Sequence, residues 1–112
     1  MEINDNNANV WNLKGCIAKN MGFYDSDNSK IGDAICNFNK VILLDPKYHL
    51  AVYNKGLCLH YLKRYDESIE CFDYIMNALK NEKSSKKSVI DIMNVIILKL
   101  WCLTVWKNMM SL

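Results

Sequence analysis

Apolar and polar residues follow a helical period along much of the chain. Trp11, Gly15 and Ala18 recur at i, i+4 and i+7, which predicts a helix over about 10–21. The stretch "GFYDSDNSK" interrupts the pattern with turn residues. A second amphipathic helix is then indicated by helically spaced apolar residues, namely Ile31, Ala34, Ile35, Phe38, Val41 and Ile42.

Two further helices are predicted in the middle of the chain. "LLDPKY" ends the second helix, and we expect Asp45 as the N-cap and Pro46 in the first turn of a third helix over about 48–62. "KRYDES" forms the next turn. A fourth helix carries one apolar face made of Tyr65, Ile69, Phe72, Ile75, Met76 and Leu79.

The C-terminal part differs in character. "KNEKSSKKS" reads as a polar, basic linker, and Ser88 with Asp91 resembles a capping box that starts a last helix ending near Met110. Its polar residues are scattered around the helix. A helix that is apolar all round is buried on several sides or lies in a membrane.

An internal repeat links the first two hairpins. Gly15, Ala34 and Phe38 parallel Gly56, Ser68 and Phe72, and the chain thereby resembles the tetratricopeptide repeat (TPR) family, most strongly over 45–79. The resemblance implies specific packing roles. Gly15 and Gly56 would be close helix contacts, Tyr65 the aromatic wedge, Ser68 the small residue facing Gly56, and Asp45-Pro46 the junction between repeats.

The first and third units depart from the family pattern. The first is about seven residues longer than the family spacing, with the insertion near "FYDSDNS", so either Tyr24 or Ile31 takes the wedge role. In the third unit, alignment puts Met93 near the place of Gly56, and no second helix follows.

The expected fold is therefore all-α: a helical hairpin array of about two TPR-like repeats followed by a long C-terminal helix. We expect one domain over 1–112, with a first repeat at 10–44 that contains the inserted loop. The second repeat covers 45–79, and the C-terminal apolar helix covers 88–110.

The resemblance also implies a function, which is binding a peptide or helix of another protein in a concave groove. The partner-binding residues expected by analogy are Asn12, Leu13, Cys16, Lys19, Tyr53, Asn54, Leu57, His60 and Tyr61, with Asn9, Asn20 and Leu50 beside them. Some TPR domains bind the C-terminal carboxylate of chaperone peptides through a set of residues called a carboxylate clamp. Asn54 matches one residue of that clamp. Asn12 and Cys16 stand where that clamp has lysine and asparagine, which disfavours chaperone docking.

Composition narrows the functional classes. A net charge of +2 and a single arginine argue against nucleic-acid binding. Five cysteines without a close pair, and the lack of a signal peptide, favour a reducing cytoplasm. We find no nucleophile–base arrangement, phosphate-binding loop, cofactor motif or zinc-ligand spacing, so we expect no enzyme, no cofactor and no metal.

One segment has some features of a calcium-binding loop. Asp25, Asp27 and Ser29 alternate between two helices, which suits a hard cation. However, Lys30 stands where the loop needs glycine, and Cys36 where it needs a bidentate acid. The favoured interpretation is an inter-helix loop whose side chains bond their own backbone.

The sequence of the last helix predicts that the protein associates with a second chain. Lys99 and Asp91 disfavour a membrane span. An apolar outer face without a covering neighbour predicts a homodimer, with lipid contact and folding back into the groove as alternatives. The expected interface residues are Ile92, Val95, Ile96, Leu100, Trp101, Leu103 and Trp106.

Overall fold

The computed structural model describes residues 7–81 and 89–110, with five α-helices and no strand in that part of the chain. The predicted all-α fold is confirmed. The helices are α1 (Ala8–Asp25), α2 (Asn28–Leu44), α3 (His49–Tyr61), α4 (Tyr65–Asn81) and α5 (Val89–Met110).

The first four helices form two hairpins that pack in the same way. A Cβ atom at Gly15 would lie 2.6 Å from the Phe38 ring, and one at Gly56 would lie 2.8 Å from the Phe72 ring. Ser68 lies opposite Gly56 and donates a hydrogen bond from its hydroxyl to the Gly56 carbonyl at 2.7 Å. The glycines therefore let each phenylalanine press against the facing backbone, as the repeat predicts.

The hairpins stack into an array. α3 packs against α2 as well as α4, and α5 packs against α4. Residues further along α1 contact residues further along α3, counted from the α3 N-cap. The two helices therefore run parallel. These contacts pair Asn9 with Tyr48, Lys19 with Asn54, and Phe23 with Tyr61.

The connection between α1 and α2 is much shorter than the sequence predicted. Gly22 to Asp25 continue α1, and the chain turns at Ser26 and Asp27 alone. Gly22 permits this extension because a Cβ atom there would lie 2.5 Å from the Ile31 side chain. Ile31 is fully buried whereas Tyr24 is 91% exposed, so Ile31 takes the wedge position.

The start of α3 also differs from expectation. Asp45 is the C-cap of α2, and its carboxylate accepts a hydrogen bond from the Lys47 backbone N–H within the turn. The N-cap of α3 is Tyr48, without a side-chain cap bond, so the predicted capping role of Asp45 and the first-turn role of Pro46 are wrong. The predicted capping box at Ser88 lies outside the described residues.

The register of α5 differs from the alignment that put Met93 near the place equivalent to Gly56. Lys19 and His60 are equivalent, since each lies four residues after its packing glycine. Lys19 contacts Asn54 and His60 contacts Cys102, so Cys102 is the counterpart of Asn54. Thr104 therefore corresponds to Gly56, about three helical turns beyond Met93.

Candidate functional site

The residues expected to bind a partner lie on the parallel helices α1 and α3. Leu13 is 61% exposed and Tyr61 is 36% exposed, while Asn12 and Asn54 are buried. The remaining predicted residues are partly buried; they are Cys16, Lys19, Tyr53, Leu57 and His60. Leu50, beside them on α3, is 55% exposed. The structure thus brings both helices together and gives them a mixed apolar and polar surface, which we call the α1–α3 groove.

A polar bridge crosses this groove. The Lys19 ammonium donates to Asn54 Oδ1 at 3.0 Å, and Asn54 Nδ2 lies 3.8 Å from Cys16 Sγ. Because the Asn54 carboxamide already bonds within the protein and is only 5% exposed, Lys19 is the more accessible polar group of the bridge.

Asn12 has an unusual environment. Its Oδ1 atom is buried and accepts no hydrogen bond within the described part of the chain. An unsatisfied buried acceptor costs on the order of 1–3 kcal/mol. Asn12 is therefore a position at which a bonding partner or a side-chain rotation would gain free energy.

A histidine–cysteine contact joins α3 to α5, and sequence reasoning missed it. His60 Nδ1 lies 2.9 Å from Cys102 Sγ, and the Ser68 hydroxyl lies 3.6 Å from the same sulfur. The Trp101 ring packs on the His60 imidazole with centroids 4.4 Å apart. No local signal in the sequence reveals this contact, since it depends on the register of α5.

The geometry of this contact indicates packing rather than nucleophilic chemistry. Cys102 is 1% exposed, and burial raises the pKa of its thiol. Burial likewise lowers the pKa of His60 from its ordinary value of 6.5. A protonated, inaccessible thiol beside a neutral imidazole favours a structural link between helices.

The other thiols and the acidic turn show no assembled site. Burial raises the pKa of Cys58 to about 12. Asp25 pairs with Lys30, and the Asp27 carboxylate accepts from the Ser29 backbone N–H at 2.9 Å as the N-cap of α2. Across residues 7–81 and 89–110 no three metal-ligating side chains cluster together.

The predicted assembly residues on α5 are distributed over several sides. Leu100 and Trp101 are each 55% exposed, and Trp106 is 37% exposed. Ile96 and Leu103 are half-buried, while the side chains of Ile92 and Val95 lie outside the described set. Ile97, which the sequence interpretation did not include, is 58% exposed and lies one turn before Leu100 and Trp101.

Comparison with known proteins bears on this architecture. A tetratricopeptide repeat model matches residues 50–73, which cover most of α3 and the first half of α4. An uncharacterized protein of Methanocaldococcus jannaschii is 38% identical over 72 residues, covering 64% of this chain and 76% of the relative. The chain belongs to the tetratricopeptide repeat family. No solved structure gives a significant match to it.

The match to the TPR family explains how α3 and α4 pack in the second hairpin. The matched segment contains Gly56, Ser68 and Phe72, which make the close contact between α3 and α4. It also contains Tyr65, which is 8% exposed and packs against the His60 ring, as expected for the wedge. The first hairpin lies outside the matched segment but reproduces the glycine–phenylalanine contact through Gly15 and Phe38.

A membrane span is a separate question for α5. No helix in the part of the chain that the structure describes combines the length and apolar character needed to cross a bilayer. Near the middle of α5, the Lys99 ammonium pairs with Asp73 of α4. This ion pair holds the middle of α5 against α4.

Proposed function

We propose that this TPR protein is a non-enzymatic interaction module whose α1–α3 groove holds a peptide or helix of another protein. The predicted partner-binding residues remain the proposed contact set. Sequence and architecture support the general role of protein–protein interaction, and the groove is the surface on which a TPR array offers parallel helices.

One observation carries the proposal: exposed apolar side chains are more frequent on α1 and α3 than on α2 and α4, which pack behind them. Among the described side chains, six of the twelve exposed large apolar residues lie on α1 and α3, and four lie on α5. The other two are Leu43 on α2 and Tyr74 on α4. Exposed apolar surface of this kind is typical of interaction sites.

Lys19 adds specificity to this apolar surface. Lys19 is half-buried, and its ammonium bonds to Asn54. An acidic side chain or a carbonyl group of the partner can bond to Lys19 at the same place. We therefore expect a partner segment with apolar residues around one acidic or carbonyl acceptor.

Paired leucine variants test the groove. Leu13→Asp combined with Leu50→Asp places charge in the groove, while Leu43→Asp makes the same change at a residue of α2 that is 76% exposed. Partners captured from the native cell by cross-linking should be lost with the double variant and kept with Leu43→Asp. Equal capture by both proteins would contradict groove binding.

A second function rests on α5, whose Ile97, Leu100 and Trp101 are each more than half exposed along one face. We propose that two copies pack these faces together about a twofold axis, which buries both with one self-complementary contact. Light scattering at micromolar concentration should give a dimer that Leu100→Glu dissociates and Leu43→Glu leaves intact. A monomeric parent protein would eliminate this function without affecting the groove proposal.

A further inference from the structure

A cavity of about 350 Å³ lies between α2 and α4, with α3 as its floor. It is lined by Ile35, Asn39, Ile42, Val52, Lys55, Leu59, Arg64, Glu67, Glu70, Cys71 and Tyr74. The second helices of the two hairpins form its walls, so it is distinct from the α1–α3 groove. Its lining residues include none of the predicted partner-binding residues.

The inner surface of the cavity is partly apolar. Ile35, Val52, Leu59 and Cys71 are all buried and belong to the hydrophobic core. The cavity extends from Ile35 to Ile42 along α2, which corresponds to about 10 Å of helix. It therefore offers an apolar inner surface less than two helical turns long, with polar and charged side chains around it.

The charged side chains at the mouth of the cavity differ in whether they are already paired within the protein. Arg64 and Glu67 neutralise each other through two hydrogen bonds, one of them between Arg64 Nη2 and Glu67 Oε1 at 2.8 Å. Lys55 is half-buried and its charge acts on Glu67, but it forms no ion pair with any described residue. Glu70 is exposed. Lys55 is thus a partly buried cation whose ammonium can still bond to a ligand.

Lys55 acts electrostatically on the buried Cys71 thiol in the cavity wall. Burial raises the pKa of this thiol, and Lys55 counters that rise with a larger effect than Glu70 or Glu67 has in the other direction. Of these three charged side chains, Lys55 has the largest single effect on the thiol. Lys55 can therefore attract an anionic group close to the apolar surface.

We propose that this cavity binds a small amphipathic carboxylic acid, with its carboxylate on Lys55 and its apolar body on Ile35, Val52 and Leu59. The volume suits on the order of ten non-hydrogen atoms, at the small end of known ligand pockets. A partner helix is about 10–12 Å across and does not fit such a space. A medium-chain or aromatic acid matches both the size and the charge.

Octanoate is the probe for this proposal. Titration of the isotope-labelled full chain, followed by NMR, should show saturable shifts at amides around the cavity on α2, α3 and α4. Octanoate should bind at least about tenfold more tightly than octylamine, since the lysine attracts one head group and repels the other. Equal binding of the two compounds would overturn the assigned role of the charge.

Two pairs of variants locate the site. Lys55→Gln should weaken octanoate binding about tenfold, whereas Lys80→Gln, at an exposed lysine of α4 outside the cavity, should leave it unchanged. Asn39→Trp should block the mouth, and Asn77→Trp serves as its control on an exposed asparagine of α4. An absence of saturable binding, or shifts confined to exposed apolar residues of α1 and α5, would refute the proposal.

Discussion

Glycines at the paired-helix contacts decide how closely the helices approach. Gly56 faces both the Phe72 ring and the Cys71 Cβ, at 2.8 and 3.3 Å from the position of an added Cβ. Phe72 is fully buried, so its ring has no solvent-filled space into which it can retreat. The contact at Gly56 therefore reflects the core of the second hairpin and needs no ligand-binding role.

Gly56→Leu should lower the free energy of unfolding by about 1–3 kcal/mol, because the larger side chain overpacks the contact with Phe72. The matched change is Gly32→Leu on α2, where an added Cβ meets nothing within 4 Å. That variant should gain about 0.5 kcal/mol from helix propensity. Urea unfolding measures both. A Gly56→Leu protein as stable as the parent would contradict the packing role.

His60 predicts a pH-dependent link between α3 and α5. Its neighbours across the contact are Tyr65 of α4 and Trp101 and Cys102 of α5. Because burial lowers the pKa of His60 below 6.5, folding favours the neutral imidazole. The part of the unfolding free energy that comes from a neutral His60 is therefore fully present above about pH 6.5. It decreases as the pH falls toward the lowered folded-state pKa.

The measurement for His60 is the urea midpoint at about pH 7.5 and about pH 5.5, compared between the parent and His60→Gln. The parent should lose more stability on acidification than the variant does. The variant changes residue 60 alone, so the difference between the two proteins isolates the contribution of His60. Identical losses would remove His60 as the cause of the pH dependence.

At the scale of elements, the α1–α2 connection illustrates how a cap replaces a loop. Asp27 adopts an extended backbone conformation and its carboxylate bonds to the Ser29 N–H, which starts α2 immediately after the turn. Ser26 provides the turn itself with a φ of 53°, and its N–H bonds to the Gly22 carbonyl. The polar residues of this segment therefore end one helix and begin the next.

Asp27→Ala should cost about 1 kcal/mol of stability, as expected for loss of an N-cap. Asp25→Ala is the matched control, because it removes only the exposed ion pair with Lys30 and should change stability by less than about 1 kcal/mol. Thermal unfolding with and without calcium measures both changes. A calcium-dependent rise in the parent Tm that Asp27→Ala abolishes would restore the calcium-loop interpretation.

At the scale of the whole molecule, stability should vary along the array. α3 packs between α2 and α4, whereas α5 packs against α4 and leaves Ile97, Leu100 and Trp101 exposed. In repeat arrays each unit is stabilised by its neighbours, and units with fewer neighbours open more readily. The central helices should therefore form the most persistent part of the structure.

Native-state hydrogen exchange checks this gradient at concentrations below any self-association. Amides of α3 and α4 should exchange most slowly, and those of α5 distinctly faster. Weakening the Lys99–Asp73 pair with Lys99→Met should accelerate exchange in α5 and leave α3 unchanged. Uniform protection across all five helices would mean that the array unfolds as a single cooperative unit.

The sequence by itself determined the helical class and the core of both hairpins. The recurrence of Gly15 with Phe38, and of Gly56 with Phe72, reflects a helical period and a repeat spacing that can be counted along the chain. The second hairpin was the clearest because its residues follow the TPR pattern without insertion. The same pattern identified α1 and α3 as the helices of the expected groove.

Tertiary structure decided the features that depend on which turn of one helix meets another. Gly22 continues α1 because Ile31 packs against it, although glycine and aspartate read locally as a break. The contact of Cys102 with His60 could not be read from α5, since a helix that is apolar on every side contains no signal for its register. The cavity beneath Lys55 likewise arises only where three helices converge, because its lining residues are distant in sequence.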